Sequence, residues 1–268
     1  MGVMFLCILV VVTQFCGTKG MDDIFILAGQ SNMAGRGDVK GGKYDGNVPQ
    51  QCKPNPSILR LSAKLQWEEA REPLHADIDV AKTCGIGPGL AFANEVVRKR
   101  GIGVGGGGVV GLVPCAVGGT KIDQWGKGSQ LYNELVGRAM NSMKDGGGTI
   151  RALLWYQGES DTVREEDANA YKQRMESFIM DISSDLQLPS LLIIQVALAS
   201  GEGKFIEKVR HAQLGNKLPN VKCVDAKGSR LKDDNLHLTT MSEVRLGIRL
   251  AHAYLAYRRH QFNHTNII

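Results

Sequence analysis

The sequence predicts an α/β fold in which a parallel sheet carries helices on both faces. Short runs rich in Val, Ile and Leu recur along the chain, and amphipathic stretches of helical period separate them. Strand–helix alternation of this kind builds parallel sheets that are buried on both sides. The 268 residues contain no internal repeat and no linker-like segment, so one domain is expected after residue 20.

Taken in order, the first 20 residues stand apart. Val3 to Phe15 is an apolar run of 13 residues, short for a bilayer span and matched to the core of a signal peptide. Small residues at Cys16, Thr18 and Gly20 permit cleavage after Thr18 or Gly20. No basic residue precedes the run, which leaves a buried first strand or an uncleaved anchor as the other readings. Residues 1–20 are therefore kept out of the fold, and export from the cell is the expectation.

"IFILA" (24–28) reads as the first strand of the sheet, and "SILRLS" (57–62) as the next. The long irregular stretch around the latter, from Ala34 to about Gly87, is expected to line a ligand site. "GLAFANEVVRKR" (89–100) is helical, "VVGLVPCA" (109–116) a strand and "SQLYNELVGRAMNSMK" (129–144) a helix. "IRALLWYQ" (150–157), "EDANAYKQRMESFIMDISSDL" (166–186), "SLLIIQVAL" (190–198), "FIEKVRHAQLGNKL" (205–218) and "VKCVDA" (221–226) continue the alternation. The final helix, at 239–260, places Val244, Ile248, Ala251 and Leu255 on one stripe. Gly101, Gly103 and Gly106 spell a dinucleotide-binding pattern, but here it ends a helix and enters a strand, the reverse of the required order.

Charged residues at 22% and hydrophobic residues at 43% are ordinary globular proportions. The net charge of +5 is dispersed apart from Arg258-Arg259-His260 at a helix end, so nucleic-acid binding is not expected. Six cysteines include no C-x-x-C pair, which argues against a zinc site. Cys115 and Cys223, in strand-like runs, read as buried thiols; Cys52 and Cys84, in loops, are candidates for a disulfide in an exported chain. Asn263-His264-Thr265 is a glycosylation sequon and points the same way.

The first strand breaks at Gly29-Gln30-Ser31-Asn32-Met33, which puts a serine on a turn at a strand end. A serine hydroxyl needs a base to take its proton and an acid to orient that base. Of the six histidines, His211 and His252 fall on helical patterns, and His260 and His264 lie in the tail. His75, beside Asp77 and Asp79 in the long loop, is a minor candidate. His237 in "KDDNLHLTT" stands just before the last helix with Asp234 three residues upstream, so base and acid can meet within one loop. The oxyanion of an acyl-transfer intermediate needs donors. Gly118 and Gly119 offer backbone N–H groups after one strand, and Gln157 offers a side-chain amide after the next. The turn is not a nucleophile elbow of the G-x-S-x-G type, because Met33 stands where that motif has glycine.

The blocks "GQSNMAGRG", "GPGLAFANEV", "AVGGTKIDQW", "WYQGESD" and "DNLHLT", spread from Asp23 to about Leu250, resemble the SGNH-hydrolase superfamily. The resemblance is to its sialate O-acetylesterase and acetyl-xylan-esterase-like branch, plant carbohydrate esterases in particular. It implies a flavodoxin-like three-layer α/β/α sandwich that removes O-acetyl groups from sugars with no metal or other cofactor. It also implies Ser31 as nucleophile, Asp234 and His237 completing the triad, and Ser31, Gly118 or Gly119, and Gln157 as oxyanion donors. Glu159 is implied as a possible supporting carboxylate for the histidine. The expected partner is an acetylated carbohydrate, and no stable membrane span is expected. A non-catalytic acetyl-glycan-binding module and an esterase for small apolar esters remain as alternatives. Trp67 and Trp125 suggest a sugar-binding surface over an acyl channel.

Overall fold

The computed structural model describes residues 21–100, 108–144 and 148–265. The signal peptide expected at residues 1–20 and the glycines Gly101, Gly103 and Gly106 lie outside the described residues.

In chain order the elements are β1 (Met21–Gly29), α1 (Ser31–Ala34), the β2–β3 hairpin (Val39–Lys40, Lys43–Tyr44), β4 (Ile58–Leu61), β5 (Trp67–Glu69) and α2 (Pro88–Arg100). They continue with β6 (Val109–Pro114), α3 (Gln130–Ser142), β7 (Thr149–Tyr156), α4 (Glu165–Asp185) and β8 (Leu192–Ala197). The chain closes with α5 (Ile206–Leu214), β9 (Val221–Asp225) and α6 (Thr240–Thr265).

The seven-stranded sheet has the order β5-β4-β6-β1-β7-β8-β9. All its pairings are parallel except β4–β5. The expected parallel sheet is thus mixed at one edge. β5 has only three residues and little apolar periodicity, and it pairs with β4 through a short turn rather than a helical crossover. Parallel pairing sends the other six strands out at one edge, where the loops after them converge.

β1 is central because it is apolar on both faces: Ile24 to Ala28 are all fully buried. On one face Phe25 meets Phe92 of α2 and Tyr254 of α6 edge-on, both with ring centroids at 4.8 Å. On the other, Trp155 of β7 lies between Trp125 and Phe178 of α4, at 5.3 and 4.6 Å. These are the three layers. α5 is shorter than its sequence pattern suggested, because Gly215 donates back to the His211 carbonyl at 2.8 Å and ends it.

Gly29, the last residue of β1, has φ +128°, a conformation that only glycine adopts without strain. A Cβ there would overlap the carbonyl of Tyr156 on β7. Gly29→Ala is therefore expected to destabilise the protein by about 3 kcal/mol or more, from backbone strain plus loss of the β1–β7 fit. A denaturant midpoint equal to wild type would refute this.

Cys52 and Cys84 are both buried free thiols, so the expected disulfide is absent. Cys52 packs with Ile86, Ala91 and Val244, whereas Cys84 lies against the Arg36 guanidinium and the His75 carbonyl. Cys115 is buried as expected, but Cys223 is exposed because it faces outward on the edge strand β9. Among the described residues no helix is long and apolar enough to cross a membrane.

Candidate active site

The polar turn after β1 is explained residue by residue. The Gln30 N–H donates to the Tyr156 carbonyl at 2.8 Å. Its side-chain oxygen accepts from the Gln157 amide and the Gly158 N–H, both at 3.2 Å. Gln30 therefore bolts the turn to the loop after β7. Asn32 reaches the other way, accepting the Leu238 N–H at 2.9 Å. Met33 and Ala34 are buried, and Ser31 presents its hydroxyl to an imidazole from the far end of the chain.

That imidazole is His237. Its Nε2 lies 3.0 Å from Ser31 Oγ, and its Nδ1 lies 2.8 Å from Asp234 Oδ2, across 206 and three residues of sequence respectively. A tight loop delivers both. Asn235 takes the left-handed conformation (φ 55°), which asparagine tolerates, and the Lys232 N–H donates to the His237 carbonyl at 2.8 Å. Lys232 Nζ anchors this loop to the carbonyls of Arg36 and Val39 at 3.1 and 2.7 Å.

Partial burial works to raise the Asp234 carboxyl, but other contacts outweigh it. The N–H groups of His237 and Leu236 and the imidazole together bring it down to about 2. Asp234 is thus an ionised acceptor at neutral pH, so Nδ1 carries the proton and Nε2 is the acceptor facing the serine O–H. This is the tautomer a general base requires.

Three of the expected groups meet protein partners in the structure. Gln157 is fully buried, and its amide nitrogen faces Asp161 Oδ2 (2.6 Å), the Thr120 carbonyl (2.8 Å) and Gln30 Oε1 (3.2 Å). With two hydrogens facing three protein acceptors, the Gln157 amide ties the loops together. The Gly118 N–H is likewise taken, by Asp79 Oδ2 at 3.1 Å, an oxygen that also pairs with buried Arg36. Glu159 touches Asn32 Nδ2 at 2.7 Å rather than His237, whose carboxylate partner is Asp234.

Two N–H groups near the serine keep no partner among the described residues. One is Ser31's own, at the first position of α1, where a helix cannot satisfy it internally. The other belongs to Gly119, in an exposed turn with φ +73° and open space around it. The neighbouring Gly118 is close to the serine: a Cβ built on it would lie 3.5 Å from Ser31 Cβ.

The minor candidate His75 is a wall residue. It is buried, burial pushes its imidazole down to about 3, and its Nε2 lies 3.5 Å from the Leu27 carbonyl. Asp77 pairs with Arg60 and Asp79 with Arg36, so the apparent His–Asp cluster disperses. Trp125 is also a core residue, fully buried with its Nε1 on Thr120 Oγ1 at 3.1 Å; Trp67 sits on the edge strand. Trp125 therefore offers no sugar-stacking face, whereas Trp67 stays partly exposed.

Burial raises several carboxyls beneath the site above their ordinary range. Burial pushes Glu159 up to about 7 and Asp161 up to about 6, although the amides of Asn32 and Gln157 pull each back. Glu243 at the start of α6 is fully buried, and neither of its oxygens has a partner among the described residues. Burial, with Glu72 and Glu159 nearby, raises it well above the usual range against the opposing pull of Arg36 and Lys232.

Above the ordinary carboxyl range the unfolded chain ionises Glu243 and the folded chain does not. The folded state then binds more protons, and stability falls as pH rises from about 5. The fall contributed by this one group is expected to reach up to about 1.4 kcal/mol per pH unit. Glu243→Gln should remove that contribution, so its advantage over wild type in urea unfolding should be larger at pH 8 than at pH 5. Equal differences at the two pH values would contradict the argument.

A groove of about 820 Å³ opens beside Asp234, lined in part by Lys40, Arg230, Asp233, Met241 and Arg245. It shares Asp234 with the site, but Ser31 and Gly119 stand outside its walls. Among the described residues no group of three or more His, Cys, Asp or Glu is placed to hold a metal ion.

A model of the family described as carbohydrate esterase, sialic acid-specific acetylesterase matches residues 21–256. The chain belongs to this family. A probable carbohydrate esterase of Arabidopsis thaliana is 56% identical to this esterase over 241 residues, or 88% of this chain and 91% of that one. An X-ray structure of an Arabidopsis thaliana protein superposes with TM-score 0.83 at 56% identity, over 88% of this chain and 98% of the other. The crystal structure of NanS superposes with TM-score 0.70 over 90% and 99% of the two chains; at 16% identity it is a likeness of fold. The esterase is thus a hydrolase of the acetylesterase kind, on the α/β scaffold that the sequence resemblance implied.

Proposed function

We propose that this carbohydrate esterase hydrolyses O-acetyl esters of saccharides through Ser31, His237 and Asp234. The observation that carries the reading is the continuous path from Asp234 Oδ2 through the imidazole to Ser31 Oγ, at 2.8 and 3.0 Å. His237 Nε2 takes the serine proton as Oγ forms a bond to the acetyl carbon. The resulting oxyanion is met by the N–H groups of Ser31 and Gly119, which act in a partly dehydrated site where such donors are worth several kcal/mol. When the carbon–oxygen bond to the sugar breaks, His237 returns that proton to the leaving alkoxide. Water then attacks the acetyl-serine, giving its proton to the same nitrogen, and acetate departs as Oγ is reprotonated.

The groove beside Asp234 offers the rest of the saccharide a surface next to the site. Its charged walls suit a polar sugar better than an acyl chain. The apolar run Val3 to Phe15 supports export of the protein as the setting for this activity. Acetate release from a panel of acetylated glycans, set against hydrolysis of a long-chain ester, tests the substrate class. Faster turnover of the long-chain ester, or binding of acetylated glycan with no acetate released, would overturn it.

A further inference from the structure

Ser31 and His237 approach each other from opposite ends of the chain, so their alignment depends on how the two loops are joined. The join passes through Asn32, the residue after the serine. Asn32 Oδ1 accepts the Leu238 N–H at 2.9 Å, and Nδ2 lies 3.4 Å from the Leu236 carbonyl. Both residues flanking His237 are therefore tied to the residue that follows Ser31. Nδ2 also donates to Glu159 Oε1 at 2.7 Å, and Asn32 and Glu159 are both fully buried.

Glu159 fixes which way the amide faces, because a flipped Asn32 would set its oxygen against the carboxylate and its NH2 against the Leu238 N–H. Glu159 is itself held rigidly: its carbonyl accepts from the Glu202 N–H at 3.1 Å and from Thr162 Oγ1 at 2.7 Å. The carboxylate makes no contact with the imidazole.

We propose that Asn32 and Glu159 form a buried clamp that sets the alignment of Ser31 with His237; they are positioning residues. The inference rests on the reading of Ser31 and His237 as nucleophile and base. A misplacement of about 1 Å at such a site lowers turnover by about 100-fold.

The test measures kcat, KM and pH profiles on a soluble acetyl ester for wild type, S31A, N32D, E159Q, E159A and N32D/E159Q. N32D sets two carboxylates face to face and should lower kcat by about 100-fold with little change in KM. In N32D/E159Q the donor direction is reversed while the Leu238 N–H keeps its acceptor, so at least about tenfold of that loss should return. E159Q retains an acceptor for Asn32 and should leave the acid limb of kcat/KM in place. E159A removes the acceptor and should lower kcat by about tenfold or more while the acid limb again stays.

The clamp is overturned by a double variant no better than N32D, by an E159A enzyme with wild-type kcat, or by an E159Q profile whose acid limb shifts. If N32D does not fold, the E159A and E159Q results decide alone. Activity surviving in S31A would sink the underlying reading instead, whereas an inactive S31A beside unaffected Asn32 and Glu159 variants would sink only the clamp.

Discussion

Replacing Ser31 by alanine is expected to lower turnover of an acetyl ester by about 1000-fold or more. The hydroxyl is the group within hydrogen-bond reach of His237 Nε2, and alanine leaves nothing for the base to deprotonate. The fold should survive, since the substitution removes one oxygen from a turn whose geometry is set by Gly29, Gln30 and Asn32. Substrate binding should change little, because the N–H groups of residue 31 and Gly119 remain. The measurement is acetate release by wild type and variant at matched concentration, with circular dichroism to verify folding. A variant that retained a tenth of wild-type turnover would show that the nucleophile lies elsewhere.

The second large effect is expected at Asp234. Asp234→Asn keeps the shape of the side chain and loses its charge, so its NH2 can face Nδ1 and favour the tautomer with the proton on Nε2. That form cannot accept from the serine, and kcat should fall by about 10,000-fold near neutral pH. Part of the loss should return at high pH, where hydroxide or serine ionisation reduces the need for the base. Glu159→Gln serves as the comparison. If that substitution produced the larger loss and the same pH response, the acid assigned to the imidazole would have to be Glu159.

Much of the scaffold could be read from the sequence because its strands are apolar on both faces and its helices are not. Each of the six Val/Ile/Leu-rich runs corresponds to a strand. The edge strand Trp67–Glu69 was invisible, since three residues with two glutamates carry no periodic signal. The spacing of Asp234 and His237 was legible because the two residues share one loop. The roles of Gln157, Gly118 and Glu159 were not legible. Whether an amide, N–H or carboxyl is free depends on what lies opposite it, and those partners, the acceptors of Thr120, Asp161 and Asp79 and the donor Asn32, are brought there by the fold. Trp125 was misread for the same reason: an indole in a loop pattern gives no sign that another tryptophan awaits it in the core.

The location of the base beyond the last strand of the sheet has a consequence for biosynthesis. A ribosome that has released β1 through β8 has made Ser31 and both strands neighbouring β1 but not His237, so on the proposed triad that polypeptide should be inert. Only when residue 237 emerges and the loop folds back over the serine turn does competence arise. Any prematurely terminated or carboxy-terminally clipped product lacking that loop should therefore be silent, and recovery of activity during refolding should report the last stage of assembly rather than the first.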